Sequence, residues 1–436
     1  MKRLTNLLAI TLLTSCATAF AQENSTSTAA EESAGIYASG YNKFRFGGYG
    51  EMAASYMDYS QNRITPNGSA KENRGTISIP RFVLAFDSKF SPTWILGAEI
   101  EFEYGGTGAA REIEWRSENG EYETEIEKGG EVALEQFHIT KLIHKSFNVR
   151  AGHLIVPVGL TNAHHEPVNF FGVYRPEGET TILPSTWHEN GIAFFGTFGK
   201  FNYEAMLVAG LDPLGFSREN WIASGKQGMF EVDCFTSPAV AARLNYTPIQ
   251  ELRLGASFYY NRTAKNASKP SKTSDLQADV NIFTFDAQYK SRNLVARANA
   301  VYGNLSDSYM LNRRIAQMSS STGYTRTTVA KNAASYAGEI GYNVVSLFND
   351  SKNAIRVFPF VRYEYYNTME DVAEGITADR RFKVSAFTVG VNYYALPNLV
   401  VKADYINRRI GGGDFNGENQ ISVGLAYVGW FQIKYL

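Results

Sequence analysis

The chain has 436 residues, with 42 Lys and Arg against 43 Asp and Glu, and this near-neutral balance argues against a nucleic-acid partner. Aromatic residues make up 14% of it, Gly contributes 38 residues, and mean hydropathy is −0.25. That is unusual for a helical enzyme and ordinary for a membrane barrel, whose lipid-facing residues alternate with polar ones. No stretch of about 18 consecutive apolar residues occurs, so no transmembrane helix is expected.

Residues 1–21 have the form of an export signal. Lys2 and Arg3 supply the positive start, Leu4 to Leu13 is mostly apolar, and Ala19-Phe20-Ala21 is a small-x-small cleavage site before Gln22. Leu13-Thr14-Ser15-Cys16 also has the form of a lipobox, the alternative being a lipid on Cys16, although a spanning barrel needs no such anchor. Cleavage after Ala21 leaves 40 basic and 43 acidic residues and one cysteine, Cys234, so no disulfide can form within the chain. Residues 22–41 are rich in Ser, Thr, Ala and Glu without periodicity, and a flexible periplasmic lead-in is expected there.

From residue 42 to 436 the alternation of side chains predicts strands. Sixteen are expected, at about 42–57, 76–89, 93–105, 131–145, 148–157, 190–199, 201–211, 238–248, 250–262, 279–290, 292–303, 334–347, 354–366, 382–395, 398–410 and 420–435. In the third, Trp94, Leu96, Ala98, Ile100, Phe102 and Tyr104 share one face, and Glu99, Glu101 and Glu103 the other. The last alternates from Ile421 through Val423, Leu425, Tyr427 and Phe431 to Tyr435, long enough to cross a bilayer at a tilt.

The links alternate in length. Long ones at 59–75, 106–130, 158–189, 212–237, 263–278, 304–333, 367–381 and 411–419 are interleaved with short ones such as Ser91-Pro92, Ser146-Phe147, Pro248-Ile249 and Leu396-Pro397. An even strand number with tight turns at one end and long loops at the other predicts an all-β fold: a transmembrane antiparallel up-and-down β-barrel with short periplasmic turns and long extracellular loops. Sixteen strands enclose a lumen wide enough for water. Trp94, Tyr104, Tyr203, Tyr246, Tyr289, Tyr302, Tyr363, Tyr365, Tyr393 and Tyr405 near strand ends are expected to form aromatic girdles.

Strand parity places Lys43, Arg45, Arg81, Arg243, Arg253, Arg297, Arg356, Arg362, Lys402 and Arg408 on the lumen face, together with the acidic Glu99, Glu101 and Glu103. The signs are unevenly spread: the third strand is acidic, and the eleventh, thirteenth and fifteenth supply most of the later arginines. A transverse field across the pore is therefore expected, one that filters ions by charge. The plainer alternative is that these charges only keep the interior wet.

The link at 158–189 carries His164, His165, Glu166, Arg175, Glu177 and Glu179, with Phe170, Phe171 and Trp187, and its prolines favour order. It is expected to fold into the barrel and narrow it. His164, His165 and Glu166 are of the residue types that bind zinc, but neighbours in sequence seldom converge on one ion, and neither a metal nor a cofactor is expected. Enzyme motifs are missing: there is no G-x-S-x-G elbow, no H-E-x-x-H helix and no P-loop.

Two stretches resemble the phosphate-selective porin O and P family: Ile79-Pro80-Arg81-Phe82 through Trp94 to Glu103-Tyr104-Gly105-Gly106, and Arg150-Ala151-Gly152-His153-Leu154-Ile155-Val156-Pro157-Val158-Gly159-Leu160. The resemblance is clear over about 44–212 and pattern-level beyond. It implies a sixteen-stranded barrel, a homotrimer, and anion passage along a ladder of basic residues whose start Arg81 and Arg45 match. The expectation is an outer-membrane, porin-like channel of a Gram-negative cell, embedded in lipid and passing small hydrophilic solutes or ions, anions such as phosphate among them. The alternatives are an adhesin or receptor barrel acting through its long loops, and a barrel hydrolase using His138 or His153.

Overall fold

In the computed structural model the described residues are 44–59, 72–104, 112–113, 124–125, 131–227, 233–268, 273–318, 327–349, 355–413 and 416–433. The export signal, the lead-in and Lys43 lie outside them. The strands are β1 (Phe44–Tyr59), β2 (Glu72–Ser91), β3 (Trp94–Glu103), β4 (Glu112–Ile113), β5 (Thr124–Glu125), β6 (Glu131–His144), β7 (Phe147–Ile155), β8 (His188–Phe198), β9 (Phe201–Val208), β10 (Ala239–Ile249), β11 (Leu252–Arg262), β12 (Asp279–Lys290), β13 (Leu294–Leu305), β14 (Asn332–Tyr342), β15 (Arg356–Asp371), β16 (Lys383–Leu396), β17 (Leu399–Ile410) and β18 (Gly417–Ile433).

All but β4 and β5, which pair only with each other, form one closed antiparallel barrel in chain order. The seam is β1 on β18, paired from Phe44↔Ile433 to Met57↔Gln420. Closure leaves no unpaired edge, so the backbone hydrogen bonds of the wall are satisfied within it, as lipid requires.

Alternation decides the two faces. On β17, Val401 and Tyr405 point outward and are exposed, while Lys402, Asp404, Ile406 and Arg408 point inward and are buried. Phe82, Phe283, Phe285, Tyr336, Ile340, Val361, Ile421 and Val423 are exposed in the same way on other strands. An apolar surface of this extent on a folded chain calls for an apolar surrounding. Trp94, Tyr104, Tyr302, Tyr363, Tyr393 and Tyr405, expected in the girdles, are exposed.

Some elements depart from the sequence expectation. The strand expected at 334–347 stops at Tyr342 and continues as the 3-10 turn Val344–Leu347. The side chain of Asn343 turns the chain there by accepting the backbone N–H of Val357 at 3.1 Å. β15 runs on to Asp371, past the expected 366. The long link after β13 is not all loop, since Ser308–Gln317 is a helix. Leu311 and Ile315, four apart on one helical face, are buried, and Asn312 bonds both the N–H and C=O of Val329 at 2.8 and 2.9 Å.

That helix belongs to an apolar cluster inside one end of the barrel, formed by the links after β9, β11 and β13. Leu211, Leu214, Phe216, Trp221, Ile222, Leu305, Leu311, Ile315 and Val329 pack together there. Trp221 sits so closely on Gly303 that an added Cβ would come within 2.0 Å of its ring, and its indole N–H bonds Ala330 O at 3.2 Å.

Candidate functional site

Inside the barrel, the link between β7 and β8 crosses from wall to wall. Its base is closed by Val156 N–H to Trp187 O at 2.8 Å, and Asn162 donates to Val156 O at 2.7 Å and accepts Trp187 N–H at 2.5 Å. Gly159 turns the chain at φ +87, and a Cβ there would meet the Glu179 carboxylate at 2.2 Å. That carboxylate accepts the N–H groups of Leu160 at 3.0 Å and Asn162 at 2.9 Å, folding the short helices Leu160–Ala163 and Glu177–Ile182 onto one another. Asn299 on β13 donates to it at 2.7 Å. Burial of Val156, Val158, Phe170, Phe171, Ile182 and Leu183 supplies the apolar side of the fold.

The wall holds the link chiefly through its backbone. Lys402 Nζ donates to three carbonyls, of Pro167, Phe170 and Gly172, at 2.5, 2.9 and 2.8 Å. Arg243 donates to Gly159 O at 3.0 Å and Arg81 to His165 O at 3.1 Å. In the opposite sense, Asp404 accepts Val173 N–H at 2.6 Å, Glu364 accepts Gly178 N–H at 3.3 Å and Glu339 accepts Phe171 N–H at 3.4 Å. Arg408 bonds Glu177, Arg253 bonds His164, and Tyr174 donates to Ser55 at 3.3 Å. The backbone groups named here thus find partners on the wall, which is what lets a loop sit in the interior.

These contacts change the meaning of the interior charges. Arg81, Arg243, Arg253, Arg362, Lys402 and Arg408 lie inside the barrel but are buried, with Arg362 and Lys402 each 2% exposed. Most are also paired with carboxylates. Arg243 meets Asp286 through two bonds at 2.9 and 2.7 Å. Arg362 meets Glu364 at 2.8 Å, Arg81 meets Glu51 at 2.7 Å, and Arg297 meets Glu339. Arg45 is bonded to Asp87 at 2.8 Å, and Arg356 lies over the Tyr394 ring at 4.8 Å. A free basic wall facing open water, as the transverse field required, is not what these residues form.

The acidic side is different. Glu99 and Glu103 on β3 are half-buried and Glu101 between them is buried. Facing them is Glu135 on β6, fully buried, with His165 Nε2 2.9 Å away. Sequence parity misses Glu135 because a bulge opposite Glu99 and Ile100 changes the register. Ala133 and Glu135 therefore point inward, while Phe137 and Ile139, of the same parity, point outward. The available signal was physical: without the bulge a glutamate would face lipid.

The expected residues of the link fall in different places. His164 and His165 point apart, toward Arg253 and Glu135, and Glu166 accepts Asn169 Nδ2 at 2.6 Å, so these three do not gather on one ion. Arg175 donates to Ser185 and Thr186 at 2.9 and 2.8 Å. Burial opposes a charge on His165, but the adjacent Glu135 outweighs it and pushes the imidazole up to about 10. Burial together with Arg253 and Arg243 holds His164 well below the usual range. Burial pushes Glu179 up to about 7 against the pull of the Asn162 and Leu160 N–H groups. His138 lies 3.5 Å from Thr140 Oγ1, and His153 bonds Asn190 and His188; among the described residues neither is hydrogen-bonded to a serine.

No family model matches the chain. It is 25% identical over 370 residues, 83% of this chain and 74% of the other, to an uncharacterised protein of Aquifex aeolicus (strain VF5). Among solved structures, Salmonella typhi OmpF in complex with daunomycin is similar at 13% identity and a TM-score of 0.53, over 89% of this chain and 98% of that one. Pseudomonas putida OprB is similar at 10% identity and a TM-score of 0.49, over 89% and 94%. The OmpF likeness shows the fold, a closed sixteen-stranded porin barrel.

Proposed function

We propose that this protein is a porin-like channel of a Gram-negative outer membrane, passing small hydrophilic solutes or ions by diffusion. The observation that carries this reading is the link at 158–189, held across the barrel interior by wall residues on β2, β6, β10, β11, β13, β14, β15 and β17 as a fixed constriction. Residues 1–21 supply the export signal in this reading, and the exposed apolar belt the contact with lipid. A homotrimer is the assembly implied by the family resemblance.

For selectivity, the resemblance to phosphate-selective porins favours anions, and the pairing of the cations favours the opposite. Arg81 and Arg45, which match the start of the family's basic ladder, are engaged by Glu51 and Asp87. The half-buried Glu99 and Glu103 stand on β3, and we infer that solute runs along β1–β3 with a weak preference for cations. Refolded protein in planar bilayers tests this. Stable conductance steps are expected, with a reversal potential in a salt gradient on the cation side, and larger steps when residues 160–182 are replaced by a short Gly-Ser link. An anion-side potential overturns the selectivity.

A second reading has support from the same contacts. A cavity of about 30 Å³ between link and wall, lined by Leu160, His164, Phe170, Arg297 and Arg362 among others, has room for only about two waters. A barrel whose interior is crossed by a link packed this closely on the wall also suits a receptor or adhesin acting through its outer loops. Folded protein that gives no conductance favours that reading over the channel.

A further inference from the structure

Where the link meets the acidic wall, three side chains from three segments converge. Ligand atoms of Glu99 on β3, Glu135 on β6 and His165 on the link all lie within 4.8 Å of one another. The histidine is oriented for ligation. Its Nδ1 is 3.1 Å from the carbonyl of Asn162, which can only accept, so Nδ1 carries the proton and Nε2 is turned to the Glu135 carboxylate. A hydrogen bond from one ring nitrogen to a carbonyl is the arrangement that fixes a metal-bound imidazole.

A second observation is independent of that cluster. Glu101, 4% exposed, has a buried Oε1 with no hydrogen-bond partner. The charges of Glu135, Arg81, Glu103 and His165 act on it, so it stands beside the same cluster. Arg81 acts on the group without bonding its Oε1, being itself bonded to Glu51 at 2.7 Å and to His165 O at 3.1 Å. An unpartnered carboxylate oxygen in the interior is a place where a buried charge needs a partner.

We propose that Glu99, Glu135 and His165 Nε2, beside the buried carboxylate of Glu101, bind a divalent transition-metal ion of the zinc class and so clamp the link to the β3–β6 wall. One nitrogen and several carboxylate oxygens suit zinc and cobalt better than calcium, which prefers oxygen alone. The ion takes the place of any proton between Nε2 and the carboxylate, so binding releases protons and weakens as pH falls.

The test is calorimetric titration of the full-length, refolded protein with Zn²⁺, with Co²⁺ absorption as a second probe. About one ion per chain is expected, at micromolar affinity, with binding at least about tenfold weaker in each of Glu99→Gln, Glu135→Gln and His165→Gln. His144→Gln, at the exposed end of β6, should leave binding unchanged. Heat-modifiable gel migration checks that each variant is folded; Glu99, the most exposed ligand, gives the variant least able to disturb the barrel. Folded wild-type protein that takes up no zinc in the micromolar range overturns the proposal, as does binding that survives Glu99→Gln and His165→Gln. Binding is read without transport, so its result is separate from that of the channel reading.

Discussion

The two sides of the barrel interior hold the same link by different means. From β10 to β17, cations and carboxylates are matched: Arg243 with Asp286, Arg297 with Glu339, Arg362 with Glu364, Arg408 with Glu177. The charges left over from those pairs are spent on backbone groups of the link, Lys402 on carbonyls and Asp404 on an N–H. From β2 to β6 the carboxylates among the described residues crowd together, and Arg81 and His165 serve several groups at once. The matched side is built to fix the link in place. The unmatched side holds field, and a wall that keeps a negative field in a low-dielectric interior can sort or bind cations.

The sharpest way to break this comparison is to unpair the matched side. Arg243→Met leaves Asp286 buried with no counter-charge and frees the carbonyl of Gly159, and breaking such a pair costs about 3–5 kcal/mol. Urea unfolding of the barrel in detergent should show a loss of this order, and Arg243→Met with Asp286→Leu should recover most of it. No loss in the single variant would mean that the pairing holds nothing.

Next in size is Lys402→Met. Three link carbonyls lose their donor in the interior, at about 1–3 kcal/mol for each group left unsatisfied. Part of this is recovered by water entering, so a loss of about 3 kcal/mol is expected, felt by the link more than by the barrel. The readout is conductance: the step size should rise and become noisy. An unchanged, quiet step would show that the link is held without its lysine.

On the unmatched side the sign should reverse. Glu101→Gln removes one of several crowded carboxylates and keeps the shape, so stability should stay level or rise by about 1 kcal/mol. Reversing Glu99, Glu101 and Glu103 together to Lys should carry the reversal potential in a salt gradient toward anions. If Glu101→Gln destabilises as strongly as Arg243→Met, the two sides do not differ in the way described.

The barrel was legible in the sequence because a wall between lipid and a wet interior must alternate residue by residue. That constraint writes itself along strands such as Trp94–Glu103 and Leu399–Ile410. All sixteen barrel strands were visible in this way, and the helix Ser308–Gln317 was not, because its burial depends on the links around it. The site was legible only in part. Parity gave the inward direction of Arg81, Arg243 and Lys402, yet their role was set by a backbone that crosses the lumen, and which carbonyl meets which lysine is a three-dimensional fact. Glu135 was hidden by one bulge, since a single extra residue exchanges the faces of everything beyond it.

The effect spread over the widest range of conditions is the pH dependence of the link. For His165 the held value, about 10, exceeds the value of about 6.5 for a histidine released to water. Its contribution is therefore complete below about 6.5 and is lost as pH rises through 10. Glu179 in the held link, at about 7, lies above the roughly 4.3 of a free glutamate, so its hold weakens as pH rises between those values. His164 runs the other way: kept neutral in the held link, it favours release as pH falls below about 6.5. Between about pH 4.5 and 6.5 the slopes of Glu179 and His164 oppose each other, and above about 6.5 both remaining slopes point to release. Single-channel noise, recorded in EDTA to keep metal away, should be level across the acidic window and grow steadily toward pH 10. His165→Gln should remove the growth above pH 7, where Glu179 is already ionised; noise that still grows there in the variant would place the alkaline sensitivity on other groups.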